Sequence, residues 1–325
     1  LKTVIFQKGL GSVWDKVERL KSHVAMLSPY FPEANLEHTL QAATLCKADL
    51  ATEMVGEFPE LQGQMGRIYA REQGHPQTIA QAIDEHWMPR GEKAPLPQTA
   101  CGALLSLAEK IDNLLGFFGL DLKPTSSSDP FALRRQALGL VRIVLDKKVT
   151  IHLKNALTAC LRNFPEAIQK KQEALVDEVI TYITLRAKGV LADMGYSKDE
   201  IEACFAVRPD DLNDVLFRLE ALHTFRKAQG NFSKLVEVHK RCQGQLNGQI
   251  NGHQNLSVAA TLLQEPSEKE LFQAFNTRQS AFKQAITAQE YSKALSLLQE
   301  LQPPLGELFE KVKIMDDNTQ LRNNR

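Results

Sequence analysis

Paired cysteines, long apolar runs and an excess of charge of one sign are all missing from this 325-residue chain. Its 39 basic residues balance 39 acidic ones, which excludes a protein that coats polyanions indiscriminately, and no DNA partner is expected. No stretch approaches the roughly 18 apolar residues of a membrane span and no signal peptide opens the chain, so no membrane partner is expected either. The sequence begins at Leu1 and not at Met, which suggests a piece of a longer protein.

The cysteines are few and far apart in the chain. Their spacing fits neither a disulfide framework nor a zinc site, which indicates free, buried thiols in a reducing compartment. The five are Cys46, Cys101, Cys160, Cys204 and Cys242.

Strand patterns are also scarce, and Thr3–Phe6 is the only clear one. Apolar residues recur instead at steps of three and four, which places them on one face of a helix. The pattern is clearest in three segments, which begin at Leu104, Leu175 and Leu212. A fourth helix is predicted to begin at Asp129, an N-cap residue, with Pro130 at the first helical position. The fold class is therefore predicted to be all-α.

The length suggests two domains, and we place their boundary near residue 150, giving domains 1–150 and 151–325. Two further seams are a Pro/Ser turn at Pro124–Ser128 and an uncharged loop rich in Gly, Asn and Gln at Gln243–Asn255. Charge is unevenly distributed despite its balance. Arg134–Lys154 and Arg218–Arg241 are basic, and such segments are either solvated helix faces or sources of phosphate contacts.

Motifs for catalysis are absent. The chain has no GxxxxGK[ST] phosphate loop, no HExxH zinc motif and no GxSxG nucleophile elbow. Glu85 and His86 are adjacent, but neighbouring helical residues point about 100° apart and could not share a metal ion. We therefore expect no catalytic residue and no metal ion in this chain.

Two long segments and the C-terminus carry a resemblance. Residues 39–69 read TLQAATLCKADLATEMVGEFPELQGQMGRIY, residues 105–135 read LSLAEKIDNLLGFFGLDLKPTSSSDPFALRR, and the chain ends GELFEKVKIMDDNTQLRNNR. These segments resemble the β subunit of the bacterial-type, two-subunit glycyl-tRNA synthetase. The resemblance implies an HD-like helical domain followed by a helical-bundle anticodon-binding domain, together forming the C-terminal portion of that subunit.

The resemblance also implies a function. The chain would be the tRNA-binding portion of a glycine–tRNA ligase, gripping glycine tRNA at the anticodon and body and orienting it for aminoacylation on the α subunit. The fragment alone would not be catalytic and would need no cofactor, because ATP and Mg would act at the α-subunit site. The expected location is the cytoplasm of a bacterium, or a plastid if the source is a plant.

The HD-like domain departs from a working phosphohydrolase, which needs His and Asp ligands around a divalent metal. The chain has Lys47, Ala48 and Asp49 where an HD pair would stand, and Glu109 where the family usually has Asp. Alanine cannot bind a metal, and lysine repels one. Our hypothesis is that Lys47, Asp49, Glu109 and Lys110 form a buried polar cluster instead.

Contacts with tRNA require cations for phosphates and aromatic or Arg planes for bases. The candidate cations are Arg134, Arg135, Arg226, Lys227, Lys240, Arg241, Lys311, Lys313 and Arg322. Phe225 and Phe232 are possible stacking residues, although Phe225 lies on an apolar stripe and fits the core better. Two alternatives stay open: an HD-type metal-dependent phosphohydrolase, and a subunit-assembly scaffold without direct RNA contact.

Overall fold

The computed structural model describes residues 1–207, 210–228, 231–246 and 258–325, and about 70% of the residues are helical. The all-α prediction is confirmed. The predicted strand forms a short antiparallel hairpin of β1 (Ile5–Gln7) and β2 (Gly11–Ser12). The helices of the described residues are α1 Val13–Leu27, α2 Leu36–Leu45, α3 Glu53–Glu57, α4 Gln64–Glu72, α5 Gln77–Glu85, α6 Ala100–Gly119, α7 Leu133–Asp146, α8 Leu153–Leu161, α9 Glu166–Gln169, α10 Gln172–Asp193, α11 Lys198–Phe205, α12 Leu212–Lys227, α13 Asn231–Leu246, α14 Pro266–Thr287, α15 Tyr291–Gln299, α16 Gln302–Lys311 and α17 Thr319–Asn324.

The chain forms two compact units, Leu1–Val215 and Leu216–Arg325. The boundary suggested near residue 150 lies inside the first unit, where α10 packs against α7 and α8. Each unit is built from helices that bury apolar residues against one another.

Helix α6 is the centre of the first unit. Every residue from Cys101 to Gly119 is buried, and α1, α2, α5, α7, α8 and α10 all pack against it. A helix that is apolar on nearly every face has to be surrounded in this way. Thr99 caps its first turn by accepting a hydrogen bond from the Gly102 N–H at 3.0 Å.

Helix α7 begins later than predicted. Its first residue is Leu133, so the expectation that Asp129 and Pro130 open the helix is wrong. The Asp129 carboxylate caps from outside the helix, accepting from the N–H of Leu133 at 2.8 Å and of Arg134 at 3.0 Å. Between them the chain turns through Ala132, whose φ is +53°.

The second unit is built around α14, which packs against α15 and α16, while α13 packs against α16. The loop predicted at Gln243–Asn255 does not begin at Gln243, because Gln243–Leu246 form the end of α13. Residues 247–255 of that loop lie outside the described residues. In the described part of the chain, no helix is both long enough and apolar enough to cross a membrane.

All five cysteines are free, as expected. Cys46, Cys101, Cys160 and Cys204 are buried, whereas Cys242 is only half-buried. Burial raises the pKa of the Cys46 thiol to about 12, so this side chain stays protonated and packs as a small apolar group.

Candidate functional site

Lys47 and Glu109, two of the degenerate HD positions, meet inside the first unit. The Lys47 ammonium lies 3.2 Å from Glu109 Oε2 and 2.9 Å from His86 Nε2. It also stands 3.7 Å from the centre of the Trp87 ring, within cation–π range. Both Lys47 and Glu109 are almost completely buried, so the expected polar cluster exists around this pair.

His86 takes part as a neutral imidazole. Its Nδ1 faces the Ile83 carbonyl, which can only accept, so Nδ1 carries the hydrogen and Nε2 accepts from Lys47. Burial, followed by the charge of Lys47, lowers the pKa of His86 well below its usual value. Glu85, its neighbour, faces elsewhere and accepts from the N–H and hydroxyl of Thr99. The two side chains therefore face different partners.

A larger ionic network continues from Glu109 towards α1. The Lys16 ammonium lies 3.2 Å from Glu109 Oε1 and 2.8 Å from Asp112 Oδ2. Arg19 donates to Asp112 Oδ1 at 2.7 Å, and His23 Nε2 lies 3.4 Å from the same oxygen. Burial alone would raise the carboxyl pKa values, but the neighbouring cations hold that of Glu109 at about 2 and that of Asp112 well below its usual range.

This network does not fit a catalytic metal ion. Ammonium groups already neutralise both oxygens of Glu109, and a divalent cation would meet Lys16 and Lys47 there. Ala48 supplies no ligand at all. Within the described ranges, no group of three or more His, Cys, Asp or Glu residues could hold a metal ion.

Lys110 and Asp49, expected in the same cluster, make other bonds. Lys110 Nζ donates to the Met88 carbonyl at 2.6 Å and to the Ser106 hydroxyl at 2.7 Å. Asp49 Oδ2 accepts from the backbone N–H of Gly63 at 2.6 Å and of Gly66 at 3.2 Å. Asp49 is 1% exposed. Through these two bonds its carboxylate fastens the loop before α4 to the segment that follows α2.

The two candidate arginines at the start of α7 differ in their surroundings. Arg134 is half-buried and donates to the Thr125 carbonyl, close to Asp129. Arg135 is exposed, with one 3.3 Å bond to the Arg90 carbonyl. Arg135 is therefore the one that points outward, a distinction that the sequence left open.

The other seven candidate cations belong to the second unit. Arg226, Lys227, Lys240 and Arg241 are exposed on α12 and α13, and the Arg226 guanidinium lies 5.5 Å from the centre of the Phe232 ring. Three of these cations form ion pairs with a carboxylate four residues away in the sequence: Arg241 with Glu237, Lys311 with Glu307 and Lys313 with Asp317. Such surface pairs contribute only about 0–1 kcal/mol, so a phosphate can displace the carboxylate.

Aromatic candidates and the C-terminus complete the second unit. Phe225 and Phe232 are both half-buried and meet edge to face at 6.2 Å. Arg322 is half-buried on α17. Sequence reasoning missed Arg325, whose side chain is 6% exposed and bonds to Glu268 and, at 2.8 Å, to Asp316. Asp316 and Asp317 belong to the C-terminal segment that carries the resemblance, and the ion pair gives Asp316 a structural role.

Two family models match this chain. Residues 1–206 match the glycyl-tRNA synthetase beta subunit, and residues 235–325 match the DALR anticodon binding domain. The chain belongs to the glycyl-tRNA synthetase beta subunit family. The resemblance seen in the sequence is thereby confirmed.

Relatives within the glycyl-tRNA synthetase beta subunit family are similar over the whole of this chain. The glycine–tRNA ligase beta subunit of Syntrophomonas wolfei is 38% identical, covering 99% of the chain and 46% of the relative. The beta subunit of Pseudomonas fluorescens is 36% identical over 100% of the chain and 47% of the relative. That of Geotalea daltonii is 35% identical, with 100% and 46% coverage. The chain thus spans about half the length of the curated relatives it matches.

Proposed function

We propose that this chain is the tRNA-binding portion of a glycyl-tRNA synthetase beta subunit. It would recognise glycine tRNA by its anticodon and body, and orient it for aminoacylation at an active site on the α subunit. The observation that carries the proposal is the match of residues 235–325 to an anticodon-binding domain model within a chain of this family.

The surface of the second unit supports the proposal. Exposed cations lie on α12, α13 and α16, and α13 packs against α16, so Lys240, Arg241 and Lys311 stand on neighbouring helices. Phosphate contacts position a nucleic acid, while bases are read by stacking and hydrogen bonds. Phe232, half-buried beside the Arg226 guanidinium, is the stacking candidate that fits this surface best.

The chemistry of ligation would take place elsewhere. The buried groups of the first unit hold its helices together, and nothing in their arrangement activates an amino acid. Binding energy gained at the anticodon would instead position the 3′ end of the tRNA for reaction. An α subunit, with its ATP and Mg, and a cytoplasmic setting belong to this proposal.

A charge-reversal variant tests the proposal. Replacing Arg226, Lys227, Lys240 and Arg241 by Glu is expected to weaken glycine-tRNA binding and flatten its salt dependence in filter-binding titrations. Each lost phosphate contact lowers the slope of log K against log salt by roughly 0.7 to 0.9. Four lost contacts would lower it by about three.

A matched control reverses four other exposed lysines, Lys170, Lys269, Lys283 and Lys293. It changes the net charge by the same amount, and we expect it to affect binding far less. Equal effects of both variants would mean that only the overall charge matters. Undiminished binding by the first variant would contradict the assignment and favour a scaffold without RNA contact.

A further inference from the structure

Asp49 has one carboxylate oxygen to which no described residue donates a hydrogen bond. Oδ2 accepts hydrogen bonds from the N–H groups of Gly63 and Gly66, as described above. Oδ1 is buried, and no donor from the described residues reaches it. Burying a polar oxygen without a hydrogen-bond partner is costly, so such an atom calls for an explanation.

A cavity of about 290 Å³ lies beside Asp49, which forms part of its wall. Leu45, Ala70 and Ile83 give the cavity apolar sides, and Tyr69 adds an aromatic ring. Exposed Ala48 and Gln73 also line it, so the cavity reaches the surface of the first unit. The space is therefore built for an apolar body with a polar group directed at a carboxylate.

The segment that carries Asp49 is acidic. Residues 48–62 contain four acidic side chains, Asp49, Glu53, Glu57 and Glu60, and no Lys or Arg. Lys47, the nearest lysine in the sequence, is occupied by Glu109 and His86. On α4, which forms another wall of the cavity, Arg67 is paired with Asp84.

A metal ion does not fit the same cavity. Asp49 would be its single carboxylate ligand, and hard divalent cations take six or more oxygen ligands. Thr52, Tyr69 and Gln73 add only neutral oxygens, and the remaining walls are apolar. An organic cation needs only one charged acceptor and an apolar surface for its stem, and Tyr69 can add a cation–π contact.

We propose that this cavity binds a primary alkylammonium group, whose N–H donates to Asp49 Oδ1 while its alkyl stem packs against Leu45, Ala70 and Ile83. The group can belong to a free amine or to a lysine of a partner protein. This site goes beyond the proposed tRNA contacts and does not depend on them.

Calorimetric titration of the full chain with n-butylammonium chloride tests the proposal, at ionic strength kept constant with sodium chloride. We expect saturable binding, with n-butanol at least tenfold weaker because it carries no charge. Nα-acetyl-lysine N-methylamide serves as the second probe. Tighter binding of this lysine derivative indicates a partner's side chain, whereas tighter binding of butylammonium indicates a free amine, and either supports the site.

Three variants locate the binding. Asp49→Asn keeps an oxygen for the Gly63 and Gly66 N–H groups and should lose binding at least tenfold. Ala70→Leu fills the cavity and should abolish binding even if the first variant folds poorly. Glu33→Gln removes an exposed charge outside this acidic segment and should bind normally. Equal binding of butanol, undiminished binding by the two cavity variants, or no saturable binding by any probe, so that water alone satisfies Oδ1, would overturn the proposal.

Discussion

Asp112 is the carboxylate on which the buried network of the first unit depends. Its Oδ2 lies 2.8 Å from Lys16 Nζ, its Oδ1 lies 2.7 Å from Arg19 Nε, and the residue is fully buried. Removing one partner of a buried ion pair leaves the other charge without compensation, which is costlier than never having had the pair.

We therefore predict that Asp112→Asn lowers the free energy of unfolding by about 3–5 kcal/mol, since Lys16 and Arg19 would keep their charges. Urea denaturation measures the change. Glu18→Gln, which breaks the exposed pair with Lys21, is the control and should cost about 0–1 kcal/mol. A loss below about 1 kcal/mol for Asp112→Asn would mean that the network contributes little.

Lys110 is a buried amine without a carboxylate in salt-bridge distance among the described residues. Burial lowers its pKa to about 7, and a neutral amine still has two N–H groups for Met88 and Ser106. Between about pH 7 and 10.5 the unfolded chain binds more protons at this lysine than the folded chain does. This group therefore makes the protein more stable as the pH rises through that window.

The prediction compares the natural chain with Lys110→Met between pH 7 and pH 10. The free energy of unfolding of the natural chain should rise relative to that of the variant, by up to roughly 4 kcal/mol. Using the difference cancels the titration of the cysteines, which is common to both proteins. A difference that stays constant over this range would show that Lys110 titrates normally.

At the scale of the element, the start of α6 depends on a glycine. A Cβ on Gly102 would lie 1.9 Å from Glu85 Oε2 and 2.6 Å from Glu85 Cβ. Glu85 cannot move away freely, because it is buried and bonds to the backbone of Gln98 and Thr99. Small residues are therefore required where α5 and α6 approach each other.

We predict opposite effects for two Gly→Ala changes in helices. Gly102→Ala should lower the melting temperature by several degrees, because overpacking costs about 1–3 kcal/mol. Gly189→Ala, in the exposed interior of α10 with open space around it, should raise stability by about 0.5–1 kcal/mol. Thermal unfolding of both proteins provides the check, and the same sign for both would contradict the packing argument.

The elements themselves could be predicted well from the sequence where their pattern was local. The apolar spacing of α6, α10 and α12 predicted these helices because one face of each had to be buried. The start of α7 could not be read in this way, since Asp129 caps from four residues away and Ala132 takes a left-handed conformation. The partners of Glu109 could not be predicted either, because Lys16 lies 93 residues earlier and no local sequence pattern links the two residues.

At the scale of the whole molecule, the balance of charge does not show which charged side chains are exposed. The chain as a whole has equal numbers of basic and acidic residues. Lys16, Arg19 and Lys47, however, form ion pairs with buried carboxylates. Arg226, Lys227 and Lys240 instead lie on the surface. Sequence could show the basic segments but not which of their members are exposed, because exposure depends on packing between distant helices.

The position of the boundary between the two domains remains a prediction. The sequence placed it near residue 150, whereas the compact units meet at residue 215 and the two family models cover residues 1–206 and 235–325. The later position is not marked by a change of secondary structure, because α10, α11 and α12 are all helices.

We propose that this chain binds glycine tRNA partly through its anticodon. The most direct test measures the affinity of the chain for glycine tRNA, for the same tRNA with a replaced anticodon, and for an unrelated tRNA, at one salt concentration. We predict that the natural glycine tRNA binds most tightly and that replacing its anticodon costs at least tenfold in affinity. Equal affinity for all three tRNAs, or no binding to any of them, would contradict the claim.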